Sequence, residues 1–311
     1  MEMRLLEYVV EIYRKRSFTK AALSLCITQP SLSQQVAKLE RDLGVRLFFR
    51  GHGSIEPTPE GIRFIEQAEQ ILQMRNDLQR EMRERGEGMG RELIIGTTAI
   101  TGRHVLPPLL KEYGEQFPNV RIRLVEETTD KLTDLTGQGL VDLSILALPI
   151  EDSRLITKTM FTEPLYLALP RIHREWMPEE IRSLIPSDST AVLPNSLPLH
   201  SLAQAPLILL KQGYGFRRTV LELCAKSGFQ PTIAYETSSI ETAQTLVAYG
   251  LGITIVPKMV IQQPSSSTPL YILLEPQSTR TLVFVYHQQR YLSLAAKSFI
   301  EIYDQIKEGR R

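Results

Sequence analysis

The stretch from Ser17 to Gly44 restricts this chain most, because it sets two short helical patterns on either side of a tight turn. Ahead of it, residues 3–15 put Leu5, Val9, Ile12 and Tyr13 on one face of a helix. Ser17-Phe18-Thr19 breaks that pattern, and Thr19 can cap a second helix over Lys20–Leu25. Ala21 and Ala22 are small enough to let two helices approach closely. The turn Cys26-Ile27-Thr28-Gln29-Pro30 follows. Proline suits the first turn of a helix, where the N–H it lacks would be unpaired anyway. A third helix is expected from about Ser31 to Leu43, ended by Gly44. Leu32, Val36, Leu39 and Leu43 share its apolar face, and Pro30, Gln34, Lys38 and Arg41 lie opposite. Ser31, Ser33 and Gln35 flank its start. An exposed helix end made of hydroxyl, amide and cation is the chemistry that reads base edges and phosphates in a DNA major groove. Taken alone, such a face also fits an ordinary solvated helix.

The next residues narrow the choice. Val45–Arg50 and Ile55–Thr58, joined by Gly51-His52-Gly53-Ser54, read as a hairpin. A hairpin directly after a helix-turn-helix is a wing, and Arg50 and His52 would lie beside the phosphate backbone. The whole chain has a net charge of only +1, yet residues 1–58 carry nine Lys/Arg against six Asp/Glu. A local basic excess on a neutral chain suits a dedicated DNA module, although a solvated helix end would show the same excess.

Four blocks in fixed order resemble the LysR-type transcriptional regulator family. They are Ser17-Phe18-Thr19-Lys20-Ala21-Ala22, Thr28-Gln29-Pro30-Ser31-Leu32-Ser33-Gln34-Gln35-Val36, Leu39-Glu40-Arg41-Asp42-Leu43-Gly44-Val45-Arg46-Leu47-Phe48, and Thr58-Pro59-Glu60-Gly61. The resemblance continues more loosely to the C-terminus. It implies that Gln29, Pro30, Ser33, Gln34 and Lys38 face DNA, with Thr19 and Arg50 on phosphates. Ser31 joins this set from its place at the start of the helix.

Residues 59–84 lack Gly and Pro after Gly61 and alternate charged and apolar residues, among them Ile62, Ile65, Ala68, Leu72, Leu78 and Met82. About 26 helical residues would span roughly 39 Å. A lone amphipathic helix of that length has no core of its own to cover, so a coiled coil with a second copy is expected. Arg75 and Gln79 interrupt a strict seam. The resemblance implies the same contact, and usually tetramers. Gly86-Glu87-Gly88-Met89-Gly90-Arg91 reads as a hinge. The expected domains are therefore a winged helix-turn-helix (1–58), a linker helix (59–85), a hinge (86–91) and a regulatory domain (92–311).

From Glu92 the pattern becomes strand, helix, strand, helix, strand: Leu93–Gly96, about Val105–Phe117, Val120–Val125, about Asp130–Gln138 and Asp142–Leu148. That is the mark of a mostly parallel sheet. A second set occupies Pro206–Leu210, Arg217–Ser227, Thr232–Tyr235, Ile240–Tyr249 and Gly252–Val256. Strands are also expected at Leu165–Leu169, Tyr271–Leu274 and Thr281–Tyr286, and a last helix at about Ser293–Lys307. Two α/β halves form a clamshell like periplasmic solute-binding proteins, which is also the fold the resemblance implies. One lobe would hold 92–162 and 268–311, the other 163–267. Residues 170–198, with five prolines and the single tryptophan, read as a short helix plus an irregular excursion of unassigned role.

Ligands of such sheets bind at strand C-terminal ends, where helices begin. Four loops fit: Thr97–Thr101, Thr128-Thr129, Lys211–Phe216 and Thr237-Ser238-Ser239. The expected effector contacts are Thr98, Ile100, Thr101 and Thr128 from the first half, with Gly213, Tyr214, Gly215 and Phe216 from the second. Hydroxyls and helix starts would cradle a carboxylate or similar anion, and Ile100 and Phe216 would wall an apolar body. Helix capping is the competing role for each hydroxyl, and Lys211 more readily points to water.

No GxSxG, metal-spaced His cluster or phosphate loop with its lysine is present, and His104, His173, His200 and His287 are scattered, so no enzyme and no cofactor are expected. Two distant cysteines give neither a disulfide framework nor a zinc signature. The start lacks the apolar core of a signal peptide, and no apolar run reaches the roughly 20 residues a membrane helix requires, so a cytoplasmic protein is expected. Its partners would be an imperfectly palindromic duplex DNA, a small organic anion, its own copies and, for an activator, RNA polymerase.

Overall fold

The computed structural model describes residues 2–49, 55–88, 90, 92–177, 179–182, 185, 192–265 and 267–309. The chain divides into two compact units, Met1–Gly88 and Met89–Arg311.

The first unit is helical: α1 (Met3–Lys15), α2 (Phe18–Ser24), α3 (Gln29–Leu43) and α4 (Pro59–Glu87). Its core joins Leu6, Val9 and Ile12 of α1 to Ala21 of α2 and Leu32 and Val36 of α3. The apolar face of α1 is therefore rotated slightly from the expected one: Leu6 and Val10 are buried, whereas Tyr13 is 40% exposed. Ser17, not Thr19, caps α2, accepting the Lys20 N–H at 3.3 Å. Thr19 instead sits within α2, exposed. Thr28 caps α3, so this helix begins at Gln29 and ends at Gly44, which takes the left-handed conformation (φ 72°). Leu43, the last residue of the helix, is exposed rather than part of the core face. Of the hairpin, the antiparallel bridge Phe48–Pro57 and the bond from Phe49 N–H to the Glu56 carbonyl are formed. Arg50 and His52 lie outside the described residues.

Helix α4 has 29 residues and continues through Gly86, past the expected end, before Gly88 stops it (φ 87°). Thr58 caps it, accepting the Gly61 N–H at 2.9 Å. Its first turns belong to the winged unit, where Ile65 and Ala68 are buried and Leu72 packs at the edge. Two ion pairs fasten it to α1, Arg14–Glu69 at 3.0 Å and Arg75–Glu7 at 2.6 Å. Further along, Ile71, Met74, Leu78 and Met82 form an exposed stripe on one side. No helix among the described residues is long and apolar enough to cross a membrane.

The second unit is a two-lobed α/β body. In chain order it holds β1 (Glu92–Thr97), α5 (Ala99–His104), α6 (Leu106–Gln116), β2 (Arg121–Glu126), α7 (Thr129–Gln138), β3 (Leu143–Ala147) and β4 (Leu155–Leu169). Then come α8 (Glu179–Arg182), β5 (Val192–Pro198), β6 (Leu207–Leu210), α9 (Gly215–Lys226), β7 (Ile233–Thr237), α10 (Ile240–Ala248), β8 (Thr254–Pro257), β9 (Leu270–Glu275), β10 (Thr279–His287) and α11 (Leu294–Gly309). The main sheet runs β2-β1-β3-β10-β4-β9-β5, with β8 also on β4. β1 is parallel to β2 and β3, whereas β10 is antiparallel to both β3 and β4. The second lobe adds the parallel pair β6–β7.

Long strand β4 builds the clamshell. Its earlier part, residues 155–164, pairs with β10 in the first lobe, and Leu165–Leu169 pair with β8 and β9 in the second. Sequence patterning located only Leu165–Leu169, because residues 155–164 expose Thr157, Thr159 and Thr162 and so lack a continuous apolar run. β9 pairs with second-lobe strands, so the chain returns to the first lobe at β10, later than expected. β5 lies in the stretch expected to be irregular, and the expected helix over 105–117 is preceded by a separate short helix, α5. Val105 joins α5 to α6, and Pro107 and Pro108 stand in the first turn of α6. Each lobe buries its own core: Leu93, Ile95, Tyr113, Phe284 and Phe299 in the first, Leu167, Ile208, Val220, Ile255 and Tyr271 in the second.

Candidate functional site

Helix α3 is held by its buried side, with Leu32, Val36 and Leu39 each at most 3% exposed. That anchoring fixes what the other side presents. Gln29, Pro30, Ser31, Gln34 and Lys38 are exposed, and Ser33 is half-buried beside them. Capping by Thr28 frees the first turn from using its own side chains, so Gln29 and Ser31 remain available at the helix start. Thr19 is exposed on the neighbouring α2. The ring of Phe18 packs edge-on against Phe48, with centroids 6.0 Å apart, and so ties α2 to the root of the hairpin.

In the second unit the four hydroxyl-rich loops divide into two kinds. Thr128 caps α7, accepting the Lys131 N–H at 3.4 Å, and Ser239 caps α10, accepting from Thr242 at 3.1 Å. Thr98, at the start of α5, caps nothing: its hydroxyl donates to Thr101 Oγ1 at 3.2 Å. Tyr214, at the start of α9, likewise makes no side-chain cap.

The structure brings Thr128 and Thr129 against Gly213 and Gly215, lobe to lobe. The Gly215 N–H donates to Thr129 Oγ1 at 3.0 Å, and the Asp130 N–H donates to the Gly213 carbonyl at 3.2 Å. A Cβ on Gly215 would stand 3.1 Å from the Thr129 methyl, so glycine here lets two backbones meet. On another side of the cleft, Arg103 of α5 pairs with Glu241 of α10 at 3.3 Å, and Ser239 Oγ donates to the same carboxylate at 2.9 Å. Ile100 is buried within the second-lobe core together with Phe216.

Where β4 and β10 cross between the lobes, Glu163 and Arg280 form an ion pair at 2.9 Å with both side chains almost fully buried. Glu163 Oε2 also accepts the Met259 N–H at 2.8 Å, and the Arg280 guanidinium lies 5.3 Å from the centre of the Phe216 ring. Burial holds the Arg280 pKa below its ordinary value, with Glu163 opposing the shift. His104, facing Glu241 at 3.9 Å, is also held below its ordinary value, chiefly by burial; the nearby Glu241 and Glu163 carboxylates oppose that shift, and Arg103 and Arg280 add to it. Sequence patterning missed Arg280, Glu163 and His104. Arg280 stands between two threonines just ahead of the expected strand, and only its register partner on β4 reveals a purpose. No group of three or more potential metal ligands occurs among the described residues.

Comparisons with known proteins agree with this architecture from end to end. Residues 3–62 match the model of bacterial regulatory helix-turn-helix proteins of the lysR family, and residues 86–306 match the LysR substrate binding domain. The chain is 49% identical over 304 residues to YcgK, an uncharacterized HTH-type transcriptional regulator of Bacillus subtilis (strain 168), covering 97% of this chain and 94% of that one. It is 30% identical over 302 residues to the DNA-binding transcriptional dual regulator OxyR of Escherichia coli (strain K12), covering 95% and 94%. Among solved structures, a substituted full-length OxyR from Pseudomonas aeruginosa superposes with a TM-score of 0.66 at 27% identity, over 98% of this chain and 94% of that one. A winged reading head and a two-lobed effector-binding domain on one chain, each matched by its own family model, make this protein a member of the LysR family of DNA-binding transcriptional regulators.

Proposed function

We propose that this regulator binds a small organic anion, carboxylate-like with an apolar body, between its two lobes. Binding would change which DNA-bound arrangement its oligomer adopts. One observation carries this reading: Thr98 and Tyr214, on opposite lobes, open helices without side-chain caps. Ile100 and Phe216 lie within one core nearby. Thr128, Gly213 and Gly215 would then act by setting how closely the lobes meet around the ligand.

A thiol sensor is the competing reading, since relatives at 30% identity bear the name hydrogen peroxide-inducible genes activator. A redox-sensing thiol is accessible and low in pKa, and a disulfide switch also needs a second thiol within reach. The regulatory unit contains one cysteine, Cys224, which is buried, with its thiol pushed up to about 11 by that burial. A bound molecule therefore suits this chain better than a disulfide switch.

On DNA, Gln29, Pro30, Ser31, Ser33, Gln34 and Lys38 would face the major groove, with Thr19 and Arg50 on phosphates. A homodimer joined along the α4 stripe, and a tetramer built from it, would span an imperfect palindrome. RNA polymerase is the further partner an activator of this kind would contact, and the cytoplasm is where it would act. Thermal melting of the full chain against a panel of organic acids identifies the effector, because native-state binding raises apparent stability. Calorimetry on Thr98→Val then tests the site. Removing one hydrogen bond to a charged group costs about 1.5–3 kcal/mol, so affinity is expected to fall some ten- to hundredfold. Unchanged affinity would place the ligand elsewhere.

A further inference from the structure

Glu40 lies on α3, on the helix that carries Gln29 and Lys38, but its carboxylate turns away from them. Oε1 accepts the N–H of Leu47 at 2.8 Å and of Phe48 at 3.3 Å. Those two residues form the root of the hairpin that would carry Arg50. On their other side, the Leu47 carbonyl accepts the Thr58 N–H at 3.0 Å, and Phe48 bridges Pro57. The returning segment is itself fastened: the Thr58 hydroxyl donates to the Arg46 carbonyl at 2.6 Å, and the Ile55 N–H donates to the Arg16 carbonyl at 3.3 Å. Gly61 permits this packing, since a Cβ there would fall 1.9 Å from the Leu47 carbonyl oxygen.

We propose that Glu40 is a positioning residue for DNA recognition, fixing the hairpin root to the recognition helix so that base reading and outer phosphate contact keep one geometry. A two-stranded hairpin is weakly oriented by itself, because an isolated ribbon is marginal in water. A carboxylate oxygen accepting two N–H groups makes a charge-assisted, directional tie, stronger than neutral hydrogen bonds. Glu40 thereby joins the reading helix directly to the hairpin backbone, with no second side chain between them. The proposal rests on the reading that this hairpin touches DNA.

The test uses the full chain and a duplex selected by the wild-type protein from a random-sequence pool. Glu40→Asp keeps the charge but withdraws the oxygen by one methylene, Glu40→Ala removes it, and Glu40→Gln keeps an acceptor. Hydroxyl-radical footprints, base preference and the salt dependence of binding are read for each. Glu40→Asp and Glu40→Ala are expected to leave the phosphates outside the base-read positions unprotected and to bind roughly tenfold more weakly. Their log-log salt slope should drop by about one for each phosphate the hairpin ceases to touch. Base preference should persist, and Glu40→Gln should restore the outer protection. A wild-type footprint in Glu40→Asp would overturn the proposal, as would uniform weakening with abolished base preference or failure of Glu40→Gln to restore the outer protection. Absence of outer protection in the wild-type chain would overturn it together with the hairpin's role on DNA.

Discussion

Gln29 stands at the first position of α3 with its amide exposed, and Thr28 has already satisfied a free N–H of that turn. An amide so placed can pair with a base edge. Gln29→Ala should weaken specific binding by roughly 1–3 kcal/mol and relax discrimination at one base pair, which selection from a random pool measures directly. An unchanged preference would remove Gln29 from the reading face. His104 gives a second prediction at this scale. Its folded-state pKa lies below the unfolded value of 6.5, so the unfolded chain binds the proton more tightly. Its contribution to stability is complete above that unfolded value and is lost as pH falls from there through the lower folded one. Melting temperatures between about pH 7.5 and 5.5 should therefore fall less steeply in His104→Gln than in the wild type; parallel curves would contradict the assignment. Residue chemistry was only half legible in the sequence. The hydroxyls at 98, 128 and 239 look alike there, but Thr128 and Ser239 are spent on helix caps and Thr98 is not. Thr19 does not take its expected capping role because Ser17, two residues earlier, already has the extended backbone a cap needs.

Among the elements, α4 carries the clearest consequence. Of its early apolar residues, Ile65 and Ala68 are buried within the chain and Leu72 packs against the winged unit's core, whereas Ile62 is exposed. Ile71, Met74, Leu78 and Met82 have no such cover. Met74→Asp combined with Leu78→Asp should therefore dissociate the oligomer by placing charge in a buried seam, while the melting of the winged unit stays intact. Light scattering reports the mass, and the parent mass in the double variant would exclude α4 as the contact. Helices and buried strands were legible in the sequence, since period and apolar content both mark them. The parts that were not share a cause. Residues 155–164 of β4 expose one face and so lack the apolar run, and β5 sits in a proline-rich stretch whose pairing with β9 is visible only in three dimensions.

For the whole molecule, the crossing of β4 and β10 is where the two lobes share a buried charge pair, Glu163 with Arg280. Breaking such a pair from one side leaves an uncompensated charge and costs about 3–5 kcal/mol. Glu163→Gln is thus expected to lower the denaturant midpoint of the regulatory unit clearly, whereas a change below about 1 kcal/mol would make the pair dispensable. On the proposed reading, a bound molecule, and not thiol oxidation, moves this regulator between DNA-bound arrangements. The most direct test is to footprint the full chain with Cys26→Ser and Cys224→Ser together, on its selected duplex, with and without the organic acid that raises its melting temperature. The acid is expected to shift the footprint of the cysteine-free chain as it does the wild type, and peroxide to shift neither. A footprint that responds to peroxide in the wild type, is silent in the cysteine-free chain and is indifferent to the acid in both would contradict a bound effector.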